Sequence, residues 1–200
     1  MKSSFYFIVV VLVVLLAGGY FILRNNNLSS EGFTAPTDTE GCERMLDLSD
    51  YCSGLTGASV VYVGRGQTVA TGNGATTSYD GIGTGSCQWG KVNAASQPLT
   101  AEETANFKSI GLVATFYESD ADAMRELQEF AVRGNLTVTS GEVRSIGSLS
   151  STPNYPFDDR LIMKNNGKLN VMLLQFSANG LSPYCSSSEE EALLNFFQNS

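Results

Sequence analysis

Hydrophobic and polar positions divide this chain sharply at residue 24. From Phe5 to Leu23 (FYFIVVVLVVLLAGGYFIL) there is no charge and almost no polarity. Nineteen residues at about 1.5 Å each make a helix of roughly 29 Å, close to the ~30 Å hydrocarbon core of a bilayer. Val and Ile crowd every face without a polar stripe, which argues against a buried helix of a soluble core. The competing reading is a cleaved signal peptide, with Lys2 as a basic start and Ala17-Gly18-Gly19 as the small residues of a cleavage site. Against it, Tyr20, Phe21, Ile22 and Leu23 extend the run beyond the roughly 7–15 apolar residues such a peptide needs. The expected organisation is a tail over 1–4, a transmembrane signal-anchor over 5–23, a juxtamembrane linker over 24–40 and one globular domain over 41–200. The charge bias of Lys2 against Arg24 favours an N-terminus inside and residues 25–200 outside.

Beyond the linker the periods shorten. Glu40 to Tyr51 reads as a short helix or turn. Ala58–Val63 and Gln67–Thr71 are β-rich runs split by Gly64-Arg65-Gly66, which predicts a hairpin. Gly72 to Gly90 is rich in Gly, Ser and Thr and reads as a long loop with one irregular strand. Thr100-Ala-Glu-Glu103 is a capping box opening a helix to about Ser109. Ser119-Asp-Ala-Asp122 opens a second helix, which runs to Arg133 and stops at Gly134, with Ala123, Leu127, Phe130 and Ala131 on one face. Strands follow from Leu112–Tyr117, Leu136–Thr139 and Glu142–Ile146. Arg160–Lys164 and Lys168–Phe176 flank Asn165-Asn166-Gly167, a strong hairpin signal. Glu189–Gln198 is a terminal helix capped by Ser187 or Ser188. The fold class is α+β: a mostly antiparallel sheet with two to three helices packed on it.

Charge narrows the function. Removing Lys2 and Arg24 from the 12 basic residues leaves 10 against 20 acidic ones. Such a domain repels phosphate backbones, so nucleic acid is not an expected partner. No Asp-rich loop has calcium-ligand spacing. The chain has no histidine, which removes Ser-His-Asp and Cys-His catalysis and imidazole metal sites. The glycine stretch holds neither a Walker loop nor a dinucleotide fingerprint. The reading is of a non-enzyme without cofactor or metal.

Four cysteines, Cys42, Cys52, Cys87 and Cys185, lie outside the anchor. An even number in an extracytoplasmic domain suggests two disulfides among three connectivities. Cys42–Cys52 with Cys87–Cys185 is the preferred pairing, because the first closes a short local loop. On a cytosolic side the same residues would simply be small buried groups. Tyr79 and Trp89 could form an aromatic contact platform, with core packing as the plainer reading. Phe196 and Phe197, with Leu193 and Leu194, could dock a partner or pack on the chain's own sheet. Asn135-Leu-Thr and Asn27-Leu-Ser are N-glycosylation acceptors by pattern; Asn27 stands only a few residues beyond the membrane.

The bare N-terminal anchor, the Arg24-Asn-Asn-Asn27 exit and the Ser30-Glu-Gly-Phe33 linker together resemble the single-pass membrane and minor capsid proteins of large icosahedral DNA viruses with an internal membrane. The resemblance covers about 30 residues. It implies a virion component joining bilayer to capsid proteins, and it carries over no site residues. The leading expectation is therefore a membrane-anchored structural or assembly protein. A cell-surface recognition module for glycan or protein is the alternative, and a membrane-tethered hydrolase using carboxylates is a third.

Overall fold

The structure is a computed structural model that describes residues 35–46, 51–70, 76–93, 99–147 and 157–199. The expected anchor at 5–23, most of the linker and Asn27 lie outside them. Among the described residues no helix is long and apolar enough to cross a membrane.

The elements are α1 (Thr39–Met45), a 3-10 turn (Ser53–Leu55), β1 (Ser59–Gly64), β2 (Gln67–Ala70), β3 (Thr76–Tyr79), β4 (Gly85–Val92), α2 (Ala101–Ala105), β5 (Lys108–Phe116), α3 (Asp120–Arg133), β6 (Glu142–Ile146), β7 (Phe157–Asn166), β8 (Leu169–Ala178) and α4 (Ser187–Asn199). Six strands form one antiparallel sheet in the order β1-β4-β5-β8-β7-β6, and β2 and β3 form a separate pair. The α+β expectation holds.

Helices cover both faces of the sheet. One face carries Cys87, Trp89, Leu112, Ile162 and Leu173 against Leu55 and against Leu193, Leu194 and Phe197 of α4. The other carries Val113, Leu161, Met163, Met172 and Leu174 against Leu127 and Ala131 of α3. Every residue of β8 is buried. That follows from its central place between β5 and β7, where neither face meets water.

Buried asparagines fix the helices to the sheet. Asn166 donates to the Phe197 carbonyl at 2.7 Å, holding the end of α4, and Asn170 reaches the Ala123 carbonyl of α3 at 3.5 Å. The Phe197 carbonyl lies in the last turn of α4, where the helix has no further amide to offer, so Asn166 supplies its donor; Asn170 adds a second donor to a carbonyl inside α3.

Several boundaries differ from expectation. The fold starts before residue 41: Ala35 packs on the first core, and Asp38 caps α1 by accepting from Gly41 N–H at 2.7 Å. β1 and β2 do not pair with each other. Val60 and Tyr62 pack over the disulfide core, and β4 supplies the register there, so β1 joins β4 while β2 turns out to β3. The Gly-rich stretch is accordingly more than a loop, since it holds β3 and most of β4. The Thr100–Glu103 capping box is present, but α2 ends at Ala105 and Lys108 already begins β5.

The β7–β8 turn is Gly167-Lys168, one residue later than the Asn-Gly pattern predicted. Asn166 opposes Leu169, and Gly167 has φ +59°, the two-residue hairpin with glycine in the first central position. Ser186 rather than Ser187 or Ser188 caps α4: its Oγ accepts from Glu189 N–H at 3.4 Å, and Glu189 accepts Ser186 N–H at 2.7 Å. Leu136–Thr139 is not a strand. Asn135 sits at φ +51°, Leu136 N–H donates to Ala131 C=O and Asn135 N–H to Val132 C=O. That is a Schellman ending of α3, with Asn135 rather than Gly134 in the left-handed position.

Candidate functional site

The disulfides are Cys42–Cys87 and Cys52–Cys185. This corrects the preferred pairing of Cys42 with Cys52 and Cys87 with Cys185. A short local loop is cheap to close, but α1 lies across the sheet face, which brings Cys42 over β4. The 3-10 turn meanwhile stands beside the segment leading into α4. Gly54 makes that contact tight, because a Cβ there would lie 2.3 Å from the Tyr184 carbonyl.

The proposed aromatic contact residues are mostly core. Tyr79 and Phe197 are 0% and 1% exposed and Trp89 is 2% exposed. Phe196 is half-buried, with its ring 5.3 Å from that of Tyr51. Tyr79 and Trp89 therefore lie inside the fold and form no surface platform.

The most perturbed chemistry lies where Tyr79 points. Asp80 to Thr84 form an irregular connection between β3 and β4. Gly83 N–H donates to the Tyr79 hydroxyl at 2.6 Å. The Tyr117 hydroxyl, just after β5, stands between Tyr79 and the carboxylate of Glu126 on α3. Glu126 is 2% exposed. Neither of its oxygens meets a partner in full hydrogen-bond geometry, although Tyr117 and the Ile82 amide approach closely enough to favour the charged form.

Burial dominates and pushes the Glu126 pKa from 4.5 up to about 7; Tyr117, Ile82 and Arg133 pull it back, and Glu129 adds to the rise. Burial, followed by the Glu126 charge, raises both tyrosines. The loop presses directly on this group: a Cβ on Gly81 would come 2.5 Å from Glu126 Oε1, and one on Gly83 2.3 Å from the Tyr79 hydroxyl. A carboxyl so covered can hold or release a proton near neutrality, but in this conformation no substrate reaches it. Sequence reading passed over Glu126. Its signal was the spacing: it stands three residues after Ala123 and four before Phe130, inside the apolar stripe.

A second polar cluster ties α4 to β6 and β7. Lys164 Nζ lies 3.5 Å from Glu142 and 3.4 Å from Glu191, and Arg144 bridges the same two carboxylates. Arg160 reaches Glu190 at 3.1 Å and Ser187 at 2.6 Å. Gln175 donates to Glu190 at 2.5 Å and accepts from Cys185 N–H at 2.8 Å. Nearby, an open cleft of about 280 Å³ is lined by Gly147, Asp158, Arg160, Gln175 and Leu181. Among the described residues no group of His, Cys, Asp or Glu is arranged to hold a metal ion. Asn135 is exposed at the end of α3.

No protein-family model matches the chain, and no curated protein matches it. Among solved structures it is similar to the extracellular domain of PknH from Mycobacterium tuberculosis, with a TM-score of 0.47 and 10% identity over 82% of this chain and 96% of that one. A likeness of that degree carries nothing about activity.

Proposed function

We propose that this chain is a non-enzymatic, membrane-anchored structural protein. Residues 5–23 hold it in a bilayer, and the α+β domain stands on the oxidising side, where it contacts neighbouring proteins. The observation that carries the reading is the Cys42–Cys87 bond. The first helix after the linker is fixed covalently to β4 of the main sheet, so the point where the domain meets its tether cannot peel away. Two disulfides also suit an oxidising compartment. The viral resemblance of the N-terminal segment adds a context, a minor component joining an internal membrane to capsid proteins.

The test is fractionation of the full chain. Alkaline extraction should leave it in the membrane pellet, and replacing Val9–Leu16 with alternating Ser and Asn should release it. Chemical cross-linking in the native membrane or particle should capture a neighbour in fixed stoichiometry. A chain that washes off at alkaline pH, or that stays monomeric and uncross-linked in its native setting, would overturn the proposal.

A further inference from the structure

We infer that Asn135 is an N-glycan acceptor. The inference rests on the extracytoplasmic placement of the domain proposed above. The motif is Asn135-Leu136-Thr137, and the structure gives it a setting the pattern alone lacks. Asn135 and Thr137 are both exposed, while Leu136 between them is half-buried against the α3 core and holds the segment in place. Asn135 occupies the left-handed position that ends α3, at φ +51°. Its backbone N–H is used by the Val132 carbonyl, and among the described residues nothing takes a hydrogen bond from its side-chain amide. The amide is therefore presented on a fixed turn without a competing partner.

A second feature lies beside it. Val132 is 79% exposed, the most exposed large apolar side chain among the described residues, and it is joined to Asn135 by that backbone bond. In the transfer, Asn135 Nδ2 forms a bond to the anomeric carbon of a lipid-diphosphate-linked oligosaccharide. The bond from that carbon to the diphosphate oxygen breaks, the lipid diphosphate leaves, and the amide nitrogen gives up one proton to the transferase base.

The experiment is expression of the full chain through a eukaryotic secretory pathway. Peptide N-glycosidase digestion should sharpen and lower the band, and digestion in H₂¹⁸O should mark Asn135 as labelled aspartate. Asn135→Gln and Thr137→Ala should each remove the shift, and Thr137→Ser should keep it. Thr137→Ala leaves the left-handed residue alone, so loss of folding does not confound it. If the label falls on Asn27 alone, or Thr137→Ala keeps the shift, the inference is overturned while the placement stands. If the domain is digested by protease added on the cytosolic side and carries free thiols, the placement fails and the inference with it.

Discussion

Replacing Glu126 with glutamine should make the fold more stable at alkaline pH and flatten its response to pH. Moving a carboxyl from 4.5 to about 7 is a factor of roughly 300 in proton affinity, or about 3 kcal/mol. The native state binds the proton more tightly than the unfolded chain, so the two differ in bound protons between those values. Stability is full below about 4.5, falls as pH rises towards 7 and is level above it. Glu126→Gln removes that loss. Glutamine must still desolvate an amide, so the expected gain at pH 8 is about 2 kcal/mol, or roughly 4–8 °C for a domain of this size. At pH 4.5 the variant should match the wild type or fall slightly below it.

Trp89 is the sole tryptophan and is buried, so its fluorescence reports melting of the full chain in nonionic detergent at pH 4.5, 6 and 8. Glu190, also raised by burial, adds slope in the same sense, and Glu189 and Glu191, which are lowered, oppose it. These are common to both proteins, so the difference between them isolates Glu126. An identical pH slope in the variant, or a loss of stability at pH 8, would refute the reasoning.

Other outcomes follow from the same structure. Non-reducing peptide mapping should find Cys42 linked to Cys87 and Cys52 to Cys185; recovery of a Cys42–Cys52 peptide would contradict the packing of α1 on β4. Cys52→Ser/Cys185→Ser should lower the melting temperature more than Cys42→Ser/Cys87→Ser. The sequence separations of 133 and 45 correspond to about 5 and 4 kcal/mol of loop entropy, and equal losses would count against that account. Trp89→Ala should destabilise the fold by about 3–5 kcal/mol rather than remove a surface contact, with thermal melting as the measure. Ser186→Ala should cost about 1 kcal/mol as a lost cap, whereas Ser188→Ala should be nearly silent in the same melt.

Much of the fold was legible where local chemistry dictates structure. The Thr100–Glu103 box and the Ser119 cap sit where the sequence places them, because a cap acts on amides two or three residues away. The errors arose where a distant partner decided. Gly85 to Gly90 look like loop residues until β1 and β5 flank them and turn them into a buried strand. The cysteine pairing depends on α1 crossing the sheet, which no spacing reveals. The hairpin was predicted correctly as a hairpin and misplaced by one residue, because Asn165 and Asn166 are needed inside the fold and Gly167 alone supplies the positive φ. Glu126 escaped notice because its charge excluded it from a stripe that its position fits.

The order of the bonded cysteines also sets how the domain carries tension. A pull between the chain preceding α1 and the segment of α4 enters at Cys42, follows the chain to Cys52, crosses to Cys185 and leaves through α4. Residues 53–184, with the entire six-stranded sheet, lie off that route. Stretching the oxidised protein from these two ends would therefore find almost no slack and would leave the sheet unloaded. After reduction the same force would run through every strand in turn. The sheet hangs beside a short covalent line from Cys42 to α4, and its folding stability and the strength of that line are separate properties.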